Sequence, residues 1–228
     1  AFAREGARLV IVGRDNVRCD EVAALISNNG GSAISVPADV SKEADVARMV
    51  EQTGEKLHRI DILVNCAAVN LPYRAVTDLT VDEWNCVIGV NLTGTFLCCR
   101  AVLPQMIAQR SGKIVNFSSI GGRAGAAGRA PYRASKAAII NFTECLAAEV
   151  KEFGIDVNAI CPGVVETDML REITGGQMPK TAMPPEDIAA VALFLASPES
   201  KALTGTAIDA FGPGNPLFSV SSAARPPK

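Results

Sequence analysis

The sequence predicts a single α/β domain built on a doubly wound parallel sheet, and three observations carry that prediction. Six short apolar runs, Arg8 to Gly13, Ala33 to Pro37, Ile60 to Asn65, Lys113 to Ser118, Ile155 to Cys161 and Thr206 to Ala210, alternate with stretches of helical pattern. The runs are continuous rather than alternating, as parallel strands covered by helices on both faces require. With 228 residues, 48% of them hydrophobic and 20% charged, the chain can bury one large core.

The opening residues, Ala-Phe-Ala-Arg-Glu-Gly, read as the end of a helix with a turn at Gly6, leading into the strand at Arg8. Arg14 follows that strand, and Asp39 and Val40 follow the next; Asp39 stands before Ser41-Lys42-Glu43, where it could help cap the following helix. Long helical patterns from Thr80 to Gln109 and from Pro131 to Phe153 flank the strand that ends in Ser118-Ser119. Two loops exceed what connection requires. Ile120 to Ala130 is rich in Gly and Ala, and Gly163 to Met183 carries Gly175-Gly176 and several prolines. Ligands of open parallel sheets bind beyond the carboxyl ends of the strands, so the second loop reads as a substrate lid. The domain spans 1–212, and 213–228 is expected to be a flexible C-terminal tail.

Composition excludes several classes of function. A net charge of −2 and a pI near 5.6 give no electrostatic case for nucleic acid or an anionic membrane as partner. The seven cysteines (19, 66, 86, 98, 99, 145 and 161) are odd in number, scattered and free of Cys-x-x-Cys, so they read as reduced core residues. There is no uninterrupted apolar run of about 18 residues and no signal-peptide pattern, and a cytoplasmic location is expected. No cluster of His, Cys and carboxylate has metal-ligand spacing, so no metal is assigned. The single histidine, His58, lies before a strand and far from Ser119, which leaves a serine-hydrolase triad without its base.

The chemistry is concentrated in one stretch. Tyr132 follows Ser119 by 13 positions and precedes Lys136 by 4. With Pro131 at the first helical position, Tyr132 and Lys136 form an i, i+4 pair on one face. Tyrosine titrates near ~10, so it exchanges protons poorly at neutral pH unless a positive charge favours the phenolate. Lys136 is expected to supply that charge. Ser119, at a strand end, would hydrogen-bond the oxygen being protonated or deprotonated.

A strand-end serine followed by Tyr-x-x-x-Lys resembles the active site of the short-chain dehydrogenases/reductases. The resemblance extends through Asp39-Val40, Asn65-Cys66-Ala67-Ala68, Val90-Asn91 and Pro162-Gly163-Val164-Val165-Glu166-Thr167, so that five ordered motifs run through nearly the whole chain. It implies a Rossmann-like domain and a metal-free oxidoreductase that interconverts a secondary alcohol and a ketone, of carbonyl-reductase or 3-oxoacyl-reductase type. Tyr132 would move the proton. Lys136 would lower the phenol's pKa and anchor the nicotinamide ribose, Ser119 would position the substrate oxygen, and Asn91 would hold a relay water. Arg14, Asp39, Val40, Asn65, Ala67, Pro162, Gly163, Val165 and Thr167, with Tyr132 and Lys136, would contact the cofactor. An arginine at position 14 favours the 2'-phosphate of NADP(H), with NAD(H) the alternative and Asp15 arguing for it.

The resemblance also implies a homodimer or homotetramer formed through the two long helices, acting on a small-molecule alcohol or carbonyl substrate. The chain departs from the pattern at Cys66, Ala68, Phe211 and Pro213. The family's first strand and its glycine-rich phosphate loop find no match ahead of Ala1. The chain therefore reads as N-terminally truncated, with a non-catalytic scaffold or an inactive short isoform as the alternative.

Overall fold

In a computed structural model the structure describes residues 1–214. Six strands form: β1 (Arg8–Gly13), β2 (Ser32–Pro37), β3 (Ile62–Asn65), β4 (Gly112–Phe117), β5 (Ile155–Pro162) and β6 (Ala207–Ala210). The helices are α1 (Asn16–Asn28), α2 (Glu43–Leu57), α3 (Val81–Ile88), α4 (Gly94–Gln109), α5 (Ala130–Val150), α6 (Asp168–Thr174) and α7 (Pro185–Ala196). All strand pairs are parallel. This is the α/β Rossmann-like arrangement in one domain that the apolar runs predict. The expected tail falls, for residues 215–228, outside the described residues, while Gly212–Gly214 forms a short 3-10 turn.

The strands fall into two groups, β1-β2 and β3-β4-β5-β6. Among the described residues, the edge of β1 away from β2 and the edge of β3 away from β4 have no strand partner. The consequence is visible in the side chains. Val12 and Val64, which a covered parallel sheet would bury, are 36% and 37% exposed.

Helices cover both faces of the larger sheet. On one face α4 and α5 bury Cys99, Val102, Met106, Leu146 and Val150 against Ile114, Ile155 and Val157. On the other, Ile188, Ala192 and Leu195 of α7 pack on Val115 and Ile160. Successive residues of β4, Ile114 and Val115, thus face opposite layers, which is why its sequence is a continuous apolar run. The β1-β2 pair joins the rest through a third cluster, in which Val36 and Ala38 meet Val46 and Met49 of α2 and Leu97 and Cys98 of α4.

Local chemistry sets the boundaries. Asp15 caps α1 by accepting from the Arg18 amide at 3.1 Å, and Thr80 and Glu83 form a reciprocal capping box at the start of α3. The stretch Thr80 to Gln109, expected as one helix, is broken into α3 and α4 by a π-turn at Gly89–Thr93. Its apolar window of mean hydropathy 1.7 is long enough to cross a membrane, yet Leu97, Cys98, Cys99, Val102 and Met106 spend that character on the core. The loop from Gly163 to Met183 contains α6, and its two ends are clipped together by Met183 N donating to Val164 O and Glu166 N donating to Met183 O, both at 2.9 Å.

A buried polar chain ties β3, β4 and α5 together. Asn65 Nδ2 donates to Asn116 Oδ1 at 2.9 Å, Asn116 Nδ2 to Thr143 Oγ1 at 3.0 Å, and Thr143 Oγ1 to the Ile139 carbonyl at 2.8 Å. Asn116 and Thr143 are wholly buried. Truncating the middle member strands a donor on one side and an acceptor on the other, so Asn116→Ala should cost roughly 2–4 kcal/mol of stability. A lowered urea midpoint at unchanged slope would register it.

Candidate active site

Helix α5 carries the centre of the site. It begins at Ala130, one residue earlier than the sequence suggests, with Pro131 in its first turn, where a missing amide costs nothing. Tyr132 and Lys136 then stand one turn apart, and the Lys136 ammonium lies 5.6 Å from the centroid of the Tyr132 ring. β4 ends in Ser118 and Ser119, whose backbone continues the extended conformation at Ser119 and presents its hydroxyl at the carboxyl edge of the sheet. Ser119 Oγ accepts from the Gly121 amide at 3.0 Å and also hydrogen-bonds the Tyr132 phenol.

Three contacts lock helix to strand. Lys136 Nζ donates to the Phe117 carbonyl and Ser118 Oγ to the Lys136 carbonyl, each at 2.7 Å. Gly122 completes the joint: a Cβ there would lie 2.8 Å from the Lys136 carbonyl oxygen, so the loop can approach only without a side chain.

Burial governs the electrostatics. Lys136 is 2% exposed, and desolvation pulls its ammonium down to about 8, against a smaller upward pull from Cys66 and Cys161. Tyr132 is shifted the other way. Burial holds its phenol above the ordinary tyrosine value, only partly offset by the Ser119 hydrogen bond and Arg133. This corrects the expectation that Lys136 lowers the phenol's pKa: in this arrangement the ammonium points to Phe117 O and beneath the ring, and burial dominates.

Asn91 sits in the π-turn and is wholly buried. The extra residue in such a turn displaces a side chain from the helical stripe, a device found frequently at functional sites. Its amide spans two elements. Oδ1 accepts from Val69 N at 2.8 Å, and Nδ2 donates to Val69 O at 3.0 Å and to Ser135 Oγ at 3.1 Å. Ser135 in turn donates to the Tyr132 carbonyl at 2.7 Å. Sequence reasoning missed Ser135, although its place just before Lys136 marks the buried side of α5. It also missed Cys66 and Cys161, which stand near enough to Lys136 to act on its charge.

The residues expected to bind cofactor are spread along the carboxyl edge. Arg14 is exposed just beyond β1, within electrostatic reach of Asp39 beyond β2. The Asp39 carboxylate accepts from Ser41 N at 3.0 Å and Ser41 Oγ at 2.7 Å, and these bonds hold it below the usual carboxylate range. It thus closes a turn ahead of α2 rather than capping the helix, whose N-cap is Lys42. Val40 packs against Gly94, where a Cβ would come within 2.8 Å of it. The Asn65 side chain is turned inward to Asn116 and Cys99. Ala67 is exposed at the end of β3.

Pro162 closes β5, and Gly163 N donates to Ala210 O at 2.9 Å. A Cβ at Gly163 would meet Phe211 O at 2.6 Å, so this glycine serves the approach of β5 to the segment after β6. Val165 bridges to Met183. Thr167 caps α6, its hydroxyl accepting from Leu170 N at 3.2 Å. From α6, Asp168 reaches Arg18 of α1 at 3.2 Å, so the base of the lid already spans toward the β1 side.

The architecture and these motifs are shared with known enzymes. The profile of a family described as enoyl-(acyl carrier protein) reductase matches residues 1–210. A 3-oxoacyl-[acyl-carrier-protein] reductase of Synechocystis sp. is 35% identical over 93% of this chain and 88% of its own length. A 2-(S)-hydroxypropyl-CoM dehydrogenase of Xanthobacter autotrophicus is 34% identical over 91% of this chain and 86% of its own. The crystal structure of a 3-oxoacyl-[acyl-carrier protein] reductase from Brucella melitensis superposes with a TM-score of 0.85 at 32% identity, covering 92% of this chain and 83% of that one. With the family profile spanning all six strands and relatives this similar along most of their length, the chain belongs to the short-chain dehydrogenase/reductase family, whose members are oxidoreductases.

Proposed function

We propose that the protein interconverts a secondary alcohol and a ketone with NADP(H), acting as a carbonyl or 3-oxoacyl reductase. The observation that carries this reading is the joint of β4 and α5, which brings the Ser119 hydroxyl, the Tyr132 phenol and the Lys136 ammonium into one buried corner. The names of the Synechocystis and Xanthobacter relatives, each a ketone or secondary-alcohol enzyme, support the substrate class. When bound, the nicotinamide supplies the hydride.

The chain's own residues handle the oxygen and the proton. Ser119 donates a hydrogen bond to the substrate carbonyl oxygen, and Tyr132, kept protonated by burial, delivers its proton as charge builds there. Lys136, close to half-charged near pH 8, then returns a proton to the phenolate. A phenol held above its ordinary value is a loaded acid, which favours the reductive direction at neutral pH. Asn91 and Ser135 fix the first turn of α5 and with it the phenol; Asn91 would also hold the relay water.

For the cofactor, Arg14 has the right chemistry: it is exposed, and its acidic neighbour Asp15 is committed to capping α1. Lys136 and the segment Pro162 to Thr167 would take the nicotinamide end, Asp39, Val40 and Ala67 the adenosine side, with Asn65 supporting from within. No residues of the described chain supply a glycine-rich cradle for the pyrophosphate between β1 and β3. We read residues 1–228 accordingly as part of a longer dehydrogenase, the interrupted sheet being the support for that reading. The same interruption favours, as second reading, a non-catalytic form of the fold; saturable NADPH binding in a titration calorimeter discriminates against it.

Association through α4 and α5 fits the outward Phe96, which is 40% exposed and packs edge-on against Phe142 at 6.3 Å. A homodimer or homotetramer in the cytoplasm completes the proposal.

Three outcomes test it. Tyr132→Phe should lower turnover by about 10²–10⁴-fold while NADPH affinity stays near that of the parent. Unchanged turnover sinks the mechanism. Arg14→Ala should weaken NADPH binding roughly tenfold to a hundredfold and leave NADH binding unaltered, since only the 2'-phosphate contact is lost.

The third concerns Lys136. Its folded pKa, about 8, lies below the ordinary lysine value of 10.5, so below pH 8 folding must carry the cost of burying a charge. That cost, roughly 3 kcal/mol, is relieved as pH rises from about 8 to 10.5, where the unfolded chain keeps the proton and the folded chain has lost it. Lys136→Met should therefore be more stable than the parent at pH 7, with the advantage shrinking across that window. Paired urea melts of the two proteins cancel the opposing titration of the buried cysteines.

A further inference from the structure

The widest structural irregularity lies outside the catalytic corner. Between β1 and β3 runs a cleft of about 560 Å³, walled by Arg8, Leu9 and Val10 on one side and Ile62, Leu63 and Val64 on the other, with Val102 of α4 as part of its floor. Every second residue of a parallel strand turns its amide and carbonyl to one edge, so each wall presents a row of unpaired backbone groups. A row of unpaired groups beside exposed Val12 and Val64 is costly to leave in water and prone to pair with another strand.

The chain itself leads into this cleft. Ala1 and Phe2 line it together with Ala7. A strand laid there and continuing into Ala1 would run parallel to β1, and a parallel connection needs a crossover of a dozen or more residues. With the strand itself, that amounts to roughly 20 residues. The relatives have that much to spare: the chain covers 88% of the Synechocystis reductase and 83% of the Brucella structure.

We propose that the cleft between β1 and β3 is a strand-accepting site, whose occupant is one extended apolar segment of the polypeptide leading into Ala1, and that it takes such a strand non-covalently. This rests on the reading of residues 1–228 as part of a longer dehydrogenase. Backbone pairing on two edges supplies affinity, and the covered sheet interior selects against charge and proline. The site needs no covalent link to its occupant, because both walls are already held, β1 by β2 and β3 by β4.

The probe is a soluble peptide, acetyl-Lys-Val-Val-Ile-Val-Ala-Lys-amide, added to the 228-residue chain, with a copy carrying proline at its centre as control. Amide exchange is followed at residues 8–13 and 62–65 without nucleotide. The peptide should slow exchange on both strands at least about tenfold, and the proline copy should not. Val64→Lys, tolerated at an open edge but burying a charge in a completed sheet, should abolish the effect.

Fast exchange on both edges that the peptide leaves unchanged, in a chain with an intact urea transition, overturns the proposal; so does slowing on one strand alone, which is simple edge addition. Edges protected in a sedimenting dimer without peptide assign the site to a second copy, which also overturns it. Edges already protected in a monomer mean the sheet is closed, and then it is the reading of an incomplete dehydrogenase that fails.

Discussion

The bond from the Lys136 ammonium to the Phe117 carbonyl is the constraint around which the catalytic half is organised. It joins the fourth turn-facing residue of α5 to the last residue of β4, inside a region that admits almost no water. A buried ammonium is expensive, and the structure supports it with a single backbone acceptor rather than a carboxylate. The remainder of the joint exists to make that geometry the only one available. Ser118 ties back the Lys136 carbonyl, Gly122 allows the following loop to close over it, and Thr143, two turns further along α5, is held to Asn116 of the same strand. Because one strand and one helix carry Ser119, Tyr132 and Lys136, their mutual placement does not depend on loops.

That independence explains how a broken sheet and an ordered catalytic corner coexist. β4 lies between β3 and β5 and is covered by α4 and α5 on one face and α7 on the other. It has the full complement of neighbours that a central strand needs. The β1-β2 pair has no such support from the larger sheet and is attached through α2 and α4 alone. The adenosine-side residues Arg14 and Asp39 therefore ride on a unit coupled to the catalytic strand through side-chain packing, whereas Ser119 is coupled through backbone hydrogen bonds.

Much of this was legible in the residues, for identifiable reasons. The continuous apolar runs gave all six strands within two residues, because burial on both faces leaves no room for polar alternation. The start of β3 was placed two residues early because Arg59 pairs with Asp61 in the turn, a local contact that hydropathy does not register. The π-turn at Asn91 was invisible, since one extra residue in a helix changes no composition. The direction of the Tyr132 shift was misjudged for a different reason: spacing shows that two groups are near, but not how much water each has lost. Asn65 is instructive in the same way. Its position at a strand end suggests a ligand, and its amide is instead consumed by Asn116.

The departure at Cys66 follows the same distinction between position and environment. The residue is exposed at the carboxyl end of β3, next to the open cleft, yet its thiol is near enough to Lys136 for each to affect the other's titration. Burial of the sulfur raises the thiol and the lysine lowers it, with burial the larger. The group is therefore a neutral thiol at neutral pH, and what it gives the site is apolar surface rather than charge. A neutral neighbour leaves the Lys136 proton to the phenol, where an ionised one would compete for it. The substitution is thus compatible with the same proton transfer, and it places the burden of holding the cofactor on the backbone at Ala67 and the segment from Pro162 to Thr167.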